Sequence, residues 1–294
     1  MIGPAPSLVA LAATLACVLE ASAEKVGNVT PTRSFPDLEF PDFVRSALAL
    51  GPAVAEAQPG RVGWAIWRSV SASRRTTRSN THLGVALLFA PIAAATRGAG
   101  RELRRVAGRR ARLRTRLARV LRGLSVEDAR WAYRAIRAAR PGGLGRSPER
   151  PDADVLRTPR LTLLEAMRLA ADRDSIAGEY ARGFPVTFDL AVPALTRAIG
   201  RGLAPSEAIA QAHLELLGAL PDSLIARKAG RAHAQEATAR ARRAAKLGGW
   251  HSRPGRAAVA RLDRWLRQDG HRLNPGTTAD LIAAALFVWL LTGR

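Results

Sequence analysis

At 294 residues and 47% hydrophobic content, the chain can bury one sizeable core or two small ones, which excludes an intrinsically disordered protein. Its 46 Lys and Arg against 24 Asp and Glu give a formal charge of +22, so the partners it would attract are polyanions: nucleic acid, phosphorylated small molecules or an anionic membrane. The single cysteine, Cys17, excludes an internal disulfide, no Cys/His cluster has zinc spacing, and a reducing, cytoplasmic compartment fits.

Only Lys25, Lys228 and Lys246 are lysine, an arginine bias that fits a GC-rich coding sequence as well as any function. Apolar positions at helical spacing predict a helix over residues 7–23, with Glu20 near its C-terminal end. Ala21-Ser22-Ala23 resembles a signal-peptidase site, but the first ten residues hold no Lys or Arg, so export is not expected. Lys25-Val26-Gly27-Asn28-Val29-Thr30-Pro31 breaks this helix and gathers a base and a glycine turn beside Glu20. Asp42 is expected to cap the next helix, through Leu50, and residues 60–73 form another, with Trp64 and Trp67 facing a core. Asn80-Thr81-His82 precede an apolar helix from Leu83 to Ala95, where His82 could cap or bind an anion.

Residues 97–122 contain eleven arginines and the acid Glu102, threaded with Leu103, Val106, Leu113, Leu117, Val120 and Leu121. No aromatic is interleaved, so base stacking is unsupported, a solvated helix face is the expected reading, and nucleic acid is not the expected partner. Ser125 to Ala139 is helical, capped by Ser125 with Asp128 three residues on. A flexible loop then covers about 140–160; it has glycines but no G-x-x-x-x-G-K-[ST] and no preceding strand, which excludes a P-loop. One helix is predicted from Thr162 to Ala181, carrying Asp172-Arg173-Asp174. Helices follow at 193–201, at 206–219 with Ser206 as cap, from Pro221-Asp222-Ser223 to Arg227-Lys228, and at 230–247. Residues 248–255 read as a linker and 257–268 as an amphipathic helix with Leu262, Trp265 and Leu266 inward. Asn274-Pro275-Gly276-Thr277-Thr278-Ala279-Asp280 then opens an apolar run, Leu281 to Leu291. Turn chemistry, two threonines as cap and an acid in the first turn predict outward N–H groups, hydroxyls and a carboxylate, a seat for a phosphate and its metal. No run alternates with period two for long, and both terminal apolar runs are short of the ~20 residues of a membrane span. The expectation is one all-α catalytic domain over 1–294, with no membrane association.

In order and chemistry these breaks resemble the triphosphoribosyl-dephospho-coenzyme A synthase family. The resemblance is carried by Glu20 with Lys25 to Val29, by Asn80 to Gly84, by Leu163-Leu164 through Asp174, by Pro221 to Leu224 with Arg227-Lys228, and by Asn274 to Leu281. Against the pattern of the citrate-lyase members, Lys-Pro-Gly is Lys25-Val26-Gly27, the lysine of Asn-Thr-His-Lys-Gly is Leu83, and Ser-Pro-Gly-Gly-Ser-Ala-Asp is Asn274 to Asp280. Asp-Asp-Thr-Asn is Asp172-Arg173-Asp174-Ser175. The loop at Pro141 to Gly145 and the last motif look like a divergent branch met in methanogens and methylotrophs, beside pterin-linked one-carbon genes. The resemblance implies an all-helical transferase of cofactor biosynthesis that takes ATP and dephospho-coenzyme A, joins the triphosphoribosyl part of ATP to the second substrate's ribose and releases adenine.

That chemistry needs a held triphosphate, which favours a divalent cation such as Mg2+ with oxygen ligands, and a group to take the attacking hydroxyl's proton. Glu20, Asp174 and Asp280 are the candidate metal ligands or base. Lys25, Gly27, Asn28, Asn80, His82, Arg173, Arg227, Lys228, Gly276, Thr277 and Thr278 are the candidate nucleotide and phosphate contacts. Two other readings stay open on the residues: a different nucleotide- or pterin-dependent transferase in one-carbon cofactor biosynthesis, and a non-enzymatic polyanion-binding helical protein. Nothing in the sequence specifies an oligomeric state.

Overall fold

A computed structural model describes residues 7–77, 79–99, 108–142 and 154–293. The fold is all-α as expected; among the described residues extended backbone pairs only at two isolated bridges, Thr30–Arg33 and Phe35–Leu38. In chain order the helices are α1 (Leu8–Ser22), α2 (Phe40–Val54), α3 (Val62–Arg74), α4 (Leu83–Thr96), α5 (Arg109–Arg122), α6 (Val126–Ala139) and α7 (Leu163–Ala170). There follow α8 (Ser175–Arg182), a π-helical turn (Val186–Ala191), α9 (Val192–Gly200), α10 (Pro205–Ala219), α11 (Ser223–Ala229), α12 (Arg231–Lys246), α13 (Arg253–Leu266) and α14 (Gly276–Thr292).

Two helices without a polar face form the spine, since such a helix is stable only when surrounded. Every residue of α4 from Leu83 to Ala95 is buried, and its Phe89 stacks on Phe287 of α14 with centroids 4.4 Å apart. Helices α1, α5, α9 and α10 pack around α14. No described helix is long and apolar enough to cross a membrane. A second, smaller apolar cluster joins α10 to α13, and Val26 and Leu273, on the loops after α1 and before α14, belong to it. Those two loops are therefore clamped between the main core and the smaller one.

Helix α5 accounts for part of the arginine run: Leu113, Leu117 and Leu121 are buried, Arg114 pairs with Asp189 at 2.6 Å, and Arg116 donates to the Ala95 carbonyl at 2.7 Å. Glu102, Leu103 and Val106 lie outside the described residues, as do residues 143–153 of the loop expected at 140–160.

Several helix boundaries differ from the sequence expectation. The helix expected from Thr162 to Ala181 is two, because Asp174 turns its carboxylate to the Ala177 N–H at 3.0 Å and caps a new start. Helix α2 begins at Phe40, not after Asp42, whose carboxylate instead accepts the Glu39 N–H at 3.0 Å from inside the first turn. Ser206 is not a cap, since Pro205 already starts α10. Nor do Thr277 and Thr278 cap α14: Pro275 holds that position and both threonines lie within the first turn. The segment read as a linker holds a short 3-10 turn and the start of α13, whose cap is Ser252. Trp64 and Trp67 are only partly buried, against Trp131. The π-helical turn had no sequence signature; buried Glu179 secures it by accepting the Val186 and Thr187 N–H groups at 2.8 Å each.

Gly63 lets α3 lie on the start of α6: a Cβ there would stand 2.2 Å from the Asp128 carbonyl oxygen and 2.5 Å from its Cα. Gly63→Ala is expected to lower stability by about 1–3 kcal/mol, the usual cost of overpacking, because backbone cannot rotate aside. A fall in the urea midpoint at unchanged slope would register it.

Candidate active site

Helix α1 carries Glu20 inward because Ala13, Ala16, Cys17 and Glu20 share its buried face. A buried carboxylate needs a counter-charge, and the following loop supplies it. Lys25 Nζ lies 3.1 Å from Glu20 Oε1 and donates to the carbonyls of Glu20 and of Ala23, the latter at 3.2 Å. The ammonium thus donates to two carbonyls and stands in ion-pair contact with the carboxylate. Glu20 is 6% and Lys25 2% exposed. Burial raises the Glu20 pKa and Lys25 opposes the rise. Glu20 Oε1 sits within ion-pair reach of Lys25 yet has no hydrogen bond of good geometry.

Three helices start at one place. Asp222 caps α11 through the N–H groups of Leu224 at 2.8 Å and Ile225 at 3.0 Å. Its other oxygen accepts the Thr278 N–H at 2.7 Å and hydroxyl at 2.8 Å from the first turn of α14. Ser223 Oγ accepts the Ser175 N–H of α8 at 3.2 Å and donates to Thr277 Oγ at 3.1 Å. Burial raises the Asp222 pKa against the pull of its hydrogen bonds.

Asp280 stands one turn further along α14. It is half-buried and its carboxylate accepts no hydrogen bond from the described residues. It lies so close to α4 that a Cβ on Gly84 would come within 2.0 Å of its Oδ2. Burial first, then Glu20, Asp222 and Asp174, hold its pKa well above the carboxylate range, with Arg227 opposing. Burial, Glu20 and Asp280 likewise raise the Cys17 thiol, which keeps it protonated and unreactive. The first and last helices therefore bring Glu20 and Asp280 into one electrostatic field. Among the described residues no three His, Cys, Asp or Glu side chains form a ready metal cage.

Cations stand at the more open edge. Arg227 Nη1 is 3.2 Å from Asp174 Oδ2, and its Nε donates to the Gly142 carbonyl at 3.0 Å. Half-buried Lys228 reaches the His271 carbonyl at 3.4 Å, and burial lowers its pKa. Asn28 Nδ2 donates to Asn274 Oδ1 at 2.6 Å, tying the loop after α1 to the start of α14. Gly27 (φ +68°) makes that approach possible, since a Cβ would stand 2.9 Å from both Leu266 and Pro275.

Other expected contacts fall elsewhere. The start of α14 is closed by Asp222, which takes the Thr278 N–H and hydroxyl, while the Gly276 N–H goes to the Asn274 carbonyl at 2.9 Å. A carboxylate occupies the place where a phosphate was expected. Lys25 is 2% exposed and tied to Glu20 and to two carbonyls, away from the open edge. The His82 ring is buried, with Nδ1 2.7 Å from Ser46 Oγ and its edge against Phe43; burial lowers its pKa to about 3, leaving no charge for an anion. Exposed Asn80 accepts the Leu83 N–H at 3.2 Å as a capping contact, and Arg173 is exposed on the turn between α7 and α8. A concavity of about 380 Å³ between α10 and α12, rimmed by exposed Arg201, Arg242, Lys246 and His251, is lined by Glu215 but by none of Glu20, Asp174, Asp222 and Asp280. The convergence of carboxylates, not that concavity, defines the site.

Four site residues were absent from the sequence-derived set. Asp222 and Ser223 had a signal, the Pro-Asp-Ser start of α11, and Gly84 lay inside the Asn80 motif. His213 had none: it lies in the middle of α10 between Ala212 and Leu214 and is 0% exposed. It approaches the Pro275 carbonyl, and burial and the Lys25 charge lower its pKa to about 3. Neither ring nitrogen makes a hydrogen bond of good geometry.

Fold and site together describe an all-helical protein with a buried carboxylate centre and a cationic rim. The chain belongs to the CitG family, ATP:dephospho-CoA triphosphoribosyl transferase, whose model matches residues 6–294. It is similar to the 2-(5''-triphosphoribosyl)-3'-dephosphocoenzyme-A synthase of Klebsiella pneumoniae, 35% identical over 111 residues, 38% of this chain and 39% of that protein. A probable synthase of the same name from Pseudomonas syringae pv. tomato is 30% identical over 151 residues, 47% of this chain and 51% of that protein. The matched stretches thus span between about two-fifths and a half of these relatives. A crystal structure from Archaeoglobus fulgidus, provisionally described as a triphosphoribosyl-dephospho-CoA synthase, superposes with a TM-score of 0.64 at 26% identity, covering 87% of this chain and 99% of that one.

Because the folded-state pKa of Asp280 lies above its unfolded value, the native protein binds the proton more tightly. Stability is then fullest below about pH 4, the unfolded carboxylate value, and falls as pH rises toward the folded pKa. Asp280→Asn removes that ionisation. The variant is expected to melt higher than wild type at pH 7 without added metal, with the gap closing toward pH 4. Melting curves across that range that stay parallel would contradict the raised pKa.

Proposed function

We propose that the enzyme transfers the triphosphoribosyl group of ATP to a ribose hydroxyl of dephospho-coenzyme A, releases adenine, and does so in the cytoplasm. One observation carries this reading: Asp280, a half-buried carboxylate without a hydrogen bond among the described residues, lies in the electrostatic field of Glu20, Asp174 and Asp222, with Arg227 opposing. Such a negative centre with a positive edge is the complement of a metal-bound triphosphate, and the relatives' names supply the substrates.

The donor set is hard oxygen. Mg2+ commonly takes one or two protein carboxylates and completes its shell with phosphate oxygens and water, so an open pair of acids fits it. Asp280 and Asp174, the two least buried acids of the group, would hold it. Once bound, Mg2+ would offset the charge of the triphosphate. Arg227 and Lys228 bind the phosphates through charge-assisted hydrogen bonds from the open edge.

The reaction makes a bond from the acceptor oxygen to the anomeric carbon of ATP and breaks the bond from that carbon to adenine. The electron pair of the broken bond leaves with the base. Positive charge builds on the ribose ring on the way, as in other glycosyl transfers, and the surrounding carboxylates stabilise it. Glu20 takes the hydroxyl proton: burial has raised its pKa toward the working range of a base. The proton then passes to the departing adenine or to water, which balances the step.

Incubation with ATP, Mg2+ and dephospho-coenzyme A should release adenine, detected by mass. Glu20→Gln and Asp280→Asn should each lose about 10²-fold or more in kcat while remaining folded. Arg227→Ala should mainly raise the KM for ATP. Adenine release only with another acceptor would overturn the substrate, and full turnover by Glu20→Gln would overturn the base.

A further inference from the structure

The concavity between α10 and α12 lies outside the carboxylate centre, and the proposed reaction leaves it without a role. Its floor is fixed. Buried Gln211 accepts the Trp250 N–H at 2.9 Å and donates to Glu215 at 2.9 Å. Gly249 packs so closely on Gln211 that a Cβ there would stand 2.2 Å from its Oε1. The other Glu215 oxygen accepts from Arg197 at 2.8 Å. Both oxygens of this acid are thus bonded, and a guanidinium already meets its charge.

The walls are basic. Arg201 follows α9, Arg242 and Lys246 lie on α12, and His251 ends the 3-10 turn. Arg242 donates its Nε–H to the Gly218 carbonyl at 2.9 Å, which orients the guanidinium and leaves its outer nitrogens open. The side chains of Arg201, Lys246 and His251 have no hydrogen bond or ion pair among the described residues. Many exposed arginines elsewhere are paired, as Arg114 is with Asp189, Arg130 with Glu127 and Arg256 with Glu207. Helix dipoles favour a cation at the end of α9 or of α12, but they do not require basic side chains from three elements to line one hollow. Like charges gathered without a counter-charge repel one another, and an anion among them relieves that repulsion.

At about 380 Å³ the hollow has the size of a small-molecule site, which runs from roughly 300 to 1,000 Å³. Guanidinium and ammonium groups recognise phosphate through charge-assisted hydrogen bonds. We propose that this concavity is a second anion site, which binds a small molecule through a phosphate or diphosphate group held by Arg201, Arg242 and Lys246 and by an N–H of His251. None of its residues takes part in the proposed transfer, so the two readings stand or fall separately.

Inorganic pyrophosphate, titrated calorimetrically in about 0.15 M salt without Mg2+, tests the site. Wild type should bind one equivalent, and Arg201→Ala/Lys246→Ala should bind it at least about tenfold more weakly, since each lost charged hydrogen bond is worth that much. Arg261→Ala/Arg264→Ala, which removes the same charge from exposed positions of α13, and Asp280→Asn should each stay within about twofold, because charges away from the ligand act only through a screened field. Equal weakening by the two double variants, or no saturable binding, would overturn the proposal. So would a single-stranded oligonucleotide that binds more tightly than pyrophosphate and depends on the same two side chains. A second readout uses the three lysines of the chain, of which Lys25 is buried and Lys246 exposed. Pyrophosphate should slow acylation of Lys246, followed by mass spectrometry. An unchanged rate at Lys246, or protection confined to Lys228, would count against the site.

Discussion

The carboxylate of Asp222 is the constraint on which the rest of the site depends. One oxygen caps α11 and the other accepts two hydrogen bonds from the first turn of α14, so two helix starts face each other across a single side chain. Helix starts are electropositive, and an anion between them is favoured by both. This explains how a 2% exposed acid can be kept in the interior. It also fixes Asp280, which follows Thr278 by two residues on the turn that Asp222 holds. Ser223 and Thr277 add a third helix, α8, and thereby set where Asp174 sits relative to the other acids.

Around that hub the protein accumulates negative charge that local interactions only partly offset. Glu20 has Lys25 and Asp174 has Arg227, whereas Asp280 has neither an ion pair nor a side-chain hydrogen bond among the described residues. Repelling carboxylates brought this close lower the stability of the native state, and such strain is typically retained where it is used. In a chain of net charge +22 the arrangement is the more informative: with basic groups in nearly twofold excess, several acids gather where Lys25 and Arg227 pair with two of them. The α10 to α13 cluster and the main core clamp the loops after α1 and before α14 from two sides, so the charges cannot relax apart by moving backbone.

The group proposed to accept the proton and those proposed to face the phosphates are physically separate. Glu20 and Lys25 lie under the surface, and Arg227 and Lys228 stand at the edge with Asp174. Electrostatic groups in a dry setting act more strongly than in water, which suits a base and the stabilisation of a cationic ribose. Triphosphate, by contrast, must arrive from solvent, and the rim cations are where it would meet charge first.

The amino-acid sequence by itself determined the fold class, most helix positions and the site's raw materials. Periodicity and turn chemistry act locally, over three or four residues, so the apolar runs of α4 and α14 and the breaks at Lys25, Asn80, Asp172, Pro221 and Asn274 can be read without a structure. Glu20, Asp174, Asp280, Arg227 and Lys228 were legible because each sits at such a break. What only the tertiary structure decided is which of those breaks meet and which atoms are already taken. The Thr278 N–H is available to a phosphate until Asp222, 56 residues away, arrives to accept it. His82 looks like an anion contact until Ser46 and Phe43 enclose it. His213 has no local signal at all, because its complete burial is supplied by helices from distant parts of the chain. Partners and burial are properties of the packed chain, and a periodic pattern along one helix carries no information about what the next helix brings.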